Sequence, residues 1–215
     1  MMRRVLASAG LALLLLPLGR AAGQERWAAA ARLTFTEHRV DAGFGVERFS
    51  GLGLGIDGAR RFGRLTVGIV AQGTHLAART SNELDRRLGE VGATVNVSVG
   101  AWWGFYGGLS ARSIASDAAR QHWLLGRVGL EARPPFTGAR AHAIGRLGIM
   151  PIATLTGLSS ASPAVDGGVG VDYAAGDVRL ALLYGVERFT FPALNGIRRS
   201  EQFSTLSLRA GVALR

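Results

Sequence analysis

An all-β fold, an antiparallel up-and-down transmembrane barrel of about ten strands, is predicted by three features of the sequence. Apolar and polar residues alternate with a period of two through most of the chain, which places every second side chain on the same face of a strand. A basic and then apolar N-terminal segment precedes these strands. Short and long connections between the strands also alternate, so antiparallel pairing places all short turns at one end and all long loops at the other.

The N-terminal segment predicts a cleaved signal peptide over residues 1–23, followed by a barrel domain over residues 24–215. Residues 1–4 contain two Arg, residues 5–18 are largely apolar, and small residues directly precede Gln24. This order is typical of a secretory signal peptide. The alternative, a membrane anchor, is disfavoured because about 14 apolar residues are too few to cross roughly 30 Å of hydrocarbon.

Composition excludes several classes of protein. Hydrophobic residues make up 48% of the 215 residues and charged residues 19%, which argues against a disordered chain. The absence of Cys excludes a disulfide framework and a thiol nucleophile. All 25 basic side chains are Arg, and with 15 acidic residues they give a net charge of +10. Nucleic acid is not an expected partner, because the chain is exported and its charge is dispersed along the strands.

Alternation is clearest in the segments Val91–Val99 and Leu206–Leu214, where the apolar face carries no charge. The opposite face is dominated by Gly, Ser and Thr, which suit a crowded barrel interior. A soluble secreted barrel has the same alternation with its faces exchanged, and this alternative stays open. The absence of charge from the apolar face favours lipid, since a midplane Arg costs about 2–4 kcal/mol there.

Aromatic residues near the strand ends predict two interfacial belts. The belt near the short turns contains Trp27, Phe62, Trp103, Phe105 and Tyr173, and the belt near the long loops contains Phe35, Trp123, Tyr184, Phe189 and Phe203. Short turns are predicted around residues 58–61, 100–101, 134–137 and 175–177, and long loops over residues 38–49, 76–88, 114–119, 154–166 and 190–201. Eight strands is the alternative count.

With these features the chain resembles the small bacterial outer-membrane β-barrels over nearly all of residues 26–215. The resemblance is architectural, and it implies an outer-membrane location in a Gram-negative envelope. Its implied partners are the barrel-assembly machinery and the lipid bilayer. Arg residues near the long loops could bind the phosphates of outer-leaflet glycolipid, and the alternative is that they only supply solubilising charge. The sequence departs from these proteins at its last strand, which ends Val212–Arg215 without an aromatic residue.

The polar face predicts a polar, Arg-rich lumen. One interpretation is a structural network of ion pairs, because an unpaired Arg in a narrow barrel is very costly. The alternative is a narrow, porin-like channel that favours anions, since Arg outnumbers acidic residues on this face. The predicted network consists of Arg64, Arg112, Arg127, Glu131, Arg140, His142, Arg146, Asp172, Arg179 and Arg209.

Catalysis is the least favoured function. Neighbouring strands could bring together His142, Asp172 and Glu131, and His38, Asp41 and His75 lie near the loop rim. No Ser motif, metal-spaced His pair or paired-Asp motif accompanies them, so we assign no catalytic residue, metal site or cofactor. The sequence favours a structural or surface-interaction role, with a channel or a surface enzyme (a protease or lipid-modifying hydrolase) as alternatives.

Overall fold

The computed structural model describes residues 26–43, 45–80, 83–137, 140–194 and 196–214. The predicted signal peptide lies outside these residues. Ten long strands and one short strand, β7, make up the described chain. They are β1 (Arg26–Asp41), β2 (Val46–Phe62), β3 (Leu65–Ala78), β4 (Arg86–Ser98), β5 (Trp103–Ala115), β6 (Arg120–Ala132), β7 (Pro135–Thr137), β8 (Ala141–Leu155), β9 (Ala164–Ala175), β10 (Val178–Leu194) and β11 (Ile197–Leu214).

The long strands form a closed antiparallel barrel. Each pairs with the next along the chain, β6 pairs with β8, and the last strand pairs with the first from Trp27↔Leu214 to Asp41↔Ser200. Closure satisfies the backbone groups that a sheet edge would expose, which is the condition for crossing a bilayer with strands. The predicted fold is confirmed, with ten strands in the barrel. Among the described residues, no helix is long and apolar enough to span a bilayer.

An apolar band covers the outside of the barrel. Leu54 and Leu147 are 70% and 72% exposed, and large aliphatic side chains of every long strand share this face. A water-soluble barrel would bury these side chains, whereas lipid solvates them. The band also includes Leu33, Leu52, Ile56, Ile69, Val91, Leu109, Leu130, Ile149, Val169, Leu182 and Leu208.

We call the end of the barrel that holds residues 63–64, 99–102, 133–140 and 176–177 the turn end, and the opposite end the loop end. The predicted long loops are wrong in extent, because most strands continue through them. The connection predicted over residues 38–49 shrinks to residues 42–45, and that over residues 190–201 to residues 195–196.

The polarity of the two faces reverses where the strands extend beyond the apolar band. On β1, the outward side chains become charged at Glu37 and Arg39, while Val40 points inward and is buried. On β10, Arg188 is exposed and Phe189 is buried. Polar and apolar residues still alternate along these strands. The outside of the barrel contacts water here instead of lipid, so the apolar residues face inward.

The predicted aromatic belts are therefore confirmed at the turn end and partly wrong at the loop end. Trp27 at the turn end is 41% exposed, and the Arg60 guanidinium lies over its ring at 4.8 Å. At the loop end, three of the five predicted belt residues point into the lumen and are buried: Trp123, Phe189 and Phe203. Their strand parity matches the lumen face, and only the exposed Phe35 and Tyr184 remain outside.

A β-bulge in β8 keeps this inward packing continuous. Between β6 and β8 the pairing changes from Val128↔Ile149 to Gly126↔Ile152, which inserts one extra residue into β8. The insertion reverses the parity of β8 beyond it. Ala153 consequently faces inward and is buried, although simple alternation from Ile149 would turn it outward.

Candidate functional site

Four charged side chains cross the middle of the lumen. Arg112 on β5 donates from Nε to Glu90 Oε2 at 3.0 Å and from Nη2 to Glu187 Oε2 at 2.6 Å. Arg127 on β6 donates to Glu187 Oε1 at 3.0 Å and lies 3.5 Å from Glu90 Oε1. Glu187 belongs to β10, on the other side of the barrel from β4, β5 and β6. The two Arg and two Glu therefore close the lumen with a charge-balanced cluster.

A second group of ion pairs lies towards the turn end. Glu131 accepts from Arg133 Nε at 2.7 Å and lies 3.2 Å from Arg146 Nε. Asp172 lies 3.4 Å from Arg133 Nη1 and 3.2 Å from His142 Nδ1. Arg133 joins the two carboxylates, so these five side chains form one network across β6, β8 and β9.

A third group joins the strands where the barrel closes. Asp57 on β2 accepts from Arg32 Nη2 at 2.9 Å and from Arg209 Nε at 2.6 Å. Arg32 and Arg209 are direct cross-strand partners on β1 and β11. One carboxylate thus offsets the repulsion between two guanidinium groups that lie side by side.

These three groups contain seven of the predicted lumen residues: Arg112, Arg127, Glu131, His142, Arg146, Asp172 and Arg209. The structure places the other three, Arg64, Arg140 and Arg179, at the turn end with exposed side chains. Arg64 and Arg140 lie in connections, and Arg179 is the second residue of β10. Alternation identifies a face, but it does not show where along the barrel that face meets water.

Sequence reasoning missed Tyr106 and Asp166, which form a further interior contact. The Tyr106 hydroxyl donates to Asp166 Oδ2 at 2.7 Å, and the Arg146 guanidinium lies 4.3 Å from the centre of the Tyr106 ring. The sequence predicts a loop over residues 154–166, whereas Asp166 lies on β9 and is buried. Tyr106 occupies the same alternating face of β5 as Arg112, and this pattern could have predicted that it points into the lumen.

The loop-end half of the lumen is filled by an apolar cluster, which we call the plug. Nine strands and the connection between β8 and β9 contribute to it, so it spans the barrel from wall to wall. The Trp123 ring lies 4.9 Å from the Phe189 ring and 5.8 Å from the Phe191 ring. The plug consists of Phe49, Leu76, Leu88, Ile114, Trp123, Leu125, Met150, Ala153, Leu155, Ala161, Ala164, Phe189, Phe191 and Phe203.

A buried polar pair adjoins the plug. His38 Nε2 donates to Glu201 Oε2 at 2.9 Å, and the His38 ring stacks on Phe203 at 4.1 Å. Burial lowers the pKa of His38 below its ordinary value despite the nearby carboxylate. Burial also acts to raise the pKa of Glu201, but the hydrogen bonds and charges of His38 and Arg199 outweigh it, so this pKa is lowered. Glu201 is thus an anion held by a neutral imidazole and by Arg199, whose Nε lies 2.8 Å away.

The rim residues considered for catalysis do not meet in one site. His38 points inward to Glu201, whereas Asp41 accepts a hydrogen bond from the Gly43 amide at 3.1 Å. His75 Nε2 lies 3.3 Å from Asp85 Oδ2, with both side chains exposed on the outer wall. Within the described ranges, no group of three or more His, Asp or Glu side chains could hold a metal ion.

Comparison with known proteins shows which solved structures have a similar fold. No protein-family model matches the chain, and no curated protein matches it in sequence. Among solved structures, the outer-membrane protease OmpT from Escherichia coli matches with a TM-score of 0.54 and 8% identity, covering 90% of this chain and 98% of OmpT. The chain has the fold of the bacterial outer-membrane β-barrels. Two further structures extend the comparison beyond a protease.

An outer-membrane channel from Pseudomonas putida F1 matches this barrel with a TM-score of 0.52 and 11% identity, covering 88% of this chain and 95% of the channel. LpxR from Salmonella typhimurium matches with a TM-score of 0.50 and 8% identity, covering 86% of this chain and 99% of LpxR. These neighbours support an outer-membrane location. Their roles differ, so the shared fold does not select a role for this barrel.

Proposed function

We propose that the protein is an outer-membrane barrel with a structural or surface-interaction role, and that its lumen does not conduct solutes. One observation carries the proposal: the described lumen is closed twice, by the Arg112–Glu187 ion pairs and by the plug. A conducting pore needs a continuous hydrated path with binding weak enough for release. Apart from the Trp123 indole N–H, the plug side chains offer a passing ion no polar partner, which makes transfer through the plug costly.

The rim is the surface that we propose for interaction. The strands continue beyond the apolar band and carry charged, outward-facing side chains such as Arg39, Arg87 and Arg188. A rigid strand holds such groups in fixed positions more firmly than a mobile loop does. The rim is therefore suited to binding an anionic surface in a defined orientation.

A narrow anion-leaning channel is the second candidate. Its support is the excess of Arg over acidic residues in the turn-end half of the lumen, where Arg32, Arg146 and Arg209 are partly accessible to solvent. A surface hydrolase is less favoured, because the rim His and carboxylate side chains pair with different partners in different places.

Single-channel recording in planar bilayers tests the proposal. We expect the wild-type barrel to produce no conductance steps. A double variant, Arg112→Ser with Phe189→Ser, removes a large side chain from each closure and is expected to conduct. Tyr184→Ser, which changes a lipid-facing residue on the same strand as Phe189, is the matched control and should stay silent. Resistance of each folded protein to SDS before boiling shows that it has formed a barrel.

Anion-selective steps from the wild-type protein would overturn the proposal in favour of the channel. A double variant that remains folded and silent would also contradict the assignment of these two closures.

A further inference from the structure

A groove of about 1130 Å³ crosses the outer wall of the barrel from β2 to β8, with β3, β4 and β5 at its centre. Its floor is formed by small side chains at consecutive cross-strand positions. Gly73 pairs with Gly89, and Gly89 pairs with Ser113 on the next strand. In the neighbouring row Ala71 and Ala111 both pair with Val91. Because most of these side chains are short, the wall is recessed where the rest of the band carries large aliphatic groups.

The barrel itself does not require glycine at the two central positions. A Cβ added to Gly89 would meet no heavy atom within 4 Å, and one added to Gly73 would meet only the Leu88 carbonyl oxygen at 3.9 Å. In contrast, a Cβ at the interior Gly92 would lie 2.9 Å from the Leu109 carbonyl oxygen. Strand packing therefore explains Gly92 but leaves Gly73 and Gly89 free to carry larger side chains, which would fill the groove.

The groove is apolar on one side and polar on the other. Leu54, Ile56 and Leu124 line it within the apolar band, while Ser113 and His122 line it towards the loop end. The groove is thus apolar at the level of the band and polar towards the loop end. A bilayer changes in the same direction, from its hydrocarbon core to its headgroups.

The next row towards the loop end carries basic groups. His75 pairs with Arg87, Arg87 with Ala115, and Ala115 with Arg120 across β3 to β6. Arg87 and Arg120 are exposed, and neither forms an ion pair or side-chain hydrogen bond with the described part of the chain. Two guanidinium groups without an ion-pair partner in the described part of the chain therefore lie next to the apolar recess, on its loop-end side.

We infer that this groove binds an acyl chain of a phosphate-bearing lipid of the outer leaflet, with Arg87 and Arg120 contacting the phosphate. Burial of the chain against Leu54, Ile56 and Leu124 supplies apolar contact, and the planar guanidinium groups match phosphate oxygens in bidentate geometry. The inference rests on the proposed outer-membrane location with the loop end outward.

A second copy of the barrel is the competing occupant. Two copies packed groove to groove about a twofold axis would present the same surface to each other. That arrangement would bring the Arg87 and Arg120 guanidinium groups of the two copies together, and these repel in the low dielectric of the interface. The charge of the row therefore favours an anionic lipid.

Native mass spectrometry of the folded, detergent-solubilised barrel tests the inference. The probes are dimyristoyl phosphatidic acid and dimyristoyl phosphatidylcholine, which share acyl chains and differ in headgroup charge. We expect the wild type to bind one phosphatidic acid in preference to phosphatidylcholine. Gly73→Leu with Gly89→Leu should lower binding of both lipids by on the order of tenfold, because the added side chains replace several buried methylene groups. Arg87→Gln with Arg120→Gln should abolish the preference and leave phosphatidylcholine binding unchanged.

Gly167→Leu is the matched control. Gly167 also faces outward, but on β9, and its added Cβ would make only ordinary contacts, the nearest at 3.5 Å. This variant should bind lipid like the wild type. Equal lipid binding by the groove-filled variant would overturn the inference, as would a wild-type dimer that the filled variant dissociates. Cell fractionation and SDS resistance test the location and the fold separately, so their failure is distinguishable from loss of the lipid site.

Discussion

At the residue scale, Arg112 connects the polar and apolar halves of the lumen. Its side chain is 5% exposed, and its guanidinium binds Glu90 and Glu187 and lies 4.5 Å from the centre of the Phe203 ring. The cost of removing this side chain is consequently the cost of leaving two buried carboxylates with one guanidinium.

We predict that Arg112→Leu lowers the free energy of unfolding by about 3–5 kcal/mol, as expected when one partner of a buried ion pair is removed. Urea unfolding in lipid vesicles, followed by tryptophan fluorescence, measures this change. Arg64→Leu is the control and should shift stability by less than about 0.5 kcal/mol, because Arg64 is exposed in a turn. Equal stability of wild type and Arg112→Leu would show that the central cluster is not a structural element.

The pair of His38 and Glu201 makes the loop-end half sensitive to acid. The pKa of His38 is lowered from 6.5 in the folded barrel, so the unfolded chain binds a proton that the folded chain does not. Its contribution to stability is complete above pH 6.5 and is lost as the pH falls below that value. The pKa of Glu201 is lowered from 4.5, and its contribution is lost as the pH falls through 4.5 and below.

We predict that the barrel loses stability between pH 7.5 and 5.0, and that His38→Gln reduces this dependence. The amide retains a hydrogen-bond donor for Glu201 but does not titrate. The other charged groups that act on His38 are Arg86 and Arg112, and the substitution leaves both in place. Urea midpoints at the two pH values provide the measurement. The same pH dependence in the variant and the wild type would assign it to other groups.

At the element scale, close approach between strands and interior side chains determines where glycine is needed. A Cβ at Gly129 on β6 would lie 2.4 Å from the Leu147 carbonyl oxygen and 2.7 Å from Tyr106 Cε1. A Cβ at the outward Gly145 on β8 would meet no heavy atom within 4 Å. Two glycines on paired strands thus have different structural roles.

We predict that Gly129→Ala destabilises the barrel or slows its insertion into vesicles, because backbone atoms must move to admit the methyl group. Gly145→Ala should fold and insert like the wild type. The fraction that resists SDS before boiling, recorded over time, compares the two. An insertion rate for Gly129→Ala equal to that of the control would contradict the steric requirement at this position.

At the scale of the whole molecule, polarity reverses along the barrel axis. The apolar band faces outward where lipid surrounds the barrel, and the plug faces inward where water surrounds it. The hydrophobic effect gives both arrangements, since each removes apolar surface from water. The barrel therefore has a membrane-embedded section with a polar interior and a projecting section with an apolar core.

The projecting section should be accessible from outside the cell. Since the sequence contains no Cys, single substitutions report on position with a membrane-impermeant maleimide. We predict labelling of Arg39→Cys in intact cells, labelling of Arg64→Cys only after the outer membrane is permeabilised, and no labelling of Leu54→Cys in either case. Labelling of Arg64→Cys in intact cells would reverse the orientation and remove the proposed rim from the cell surface.

Much of the fold could be predicted from the sequence because strand alternation depends only on neighbouring residues. The segment around Val95 shows its face without knowledge of its partners. The prediction that Phe189 and Trp123 face lipid is wrong, because an aromatic residue near a strand end suits either an interfacial belt or a core. The extent of the loops was also wrong, since alternation in the projecting section has the same period with the opposite faces apolar.

The strand periodicity, and with it the set of side chains that share a face, follows from the sequence alone, because it is local chemistry repeated along the chain. The same pattern favours a transmembrane barrel but leaves a soluble barrel open, and the outward exposure of Leu54 and Leu147 in the folded chain decides between them. Only the tertiary structure decided which charges meet, since Arg112 and Glu187 are separated by 75 residues and come together through closure of the barrel. It also decided that the loop-end lumen is closed. That depends on nine strands and one connection converging on one axis, and contacts between distant segments are not encoded in the pattern of any one strand.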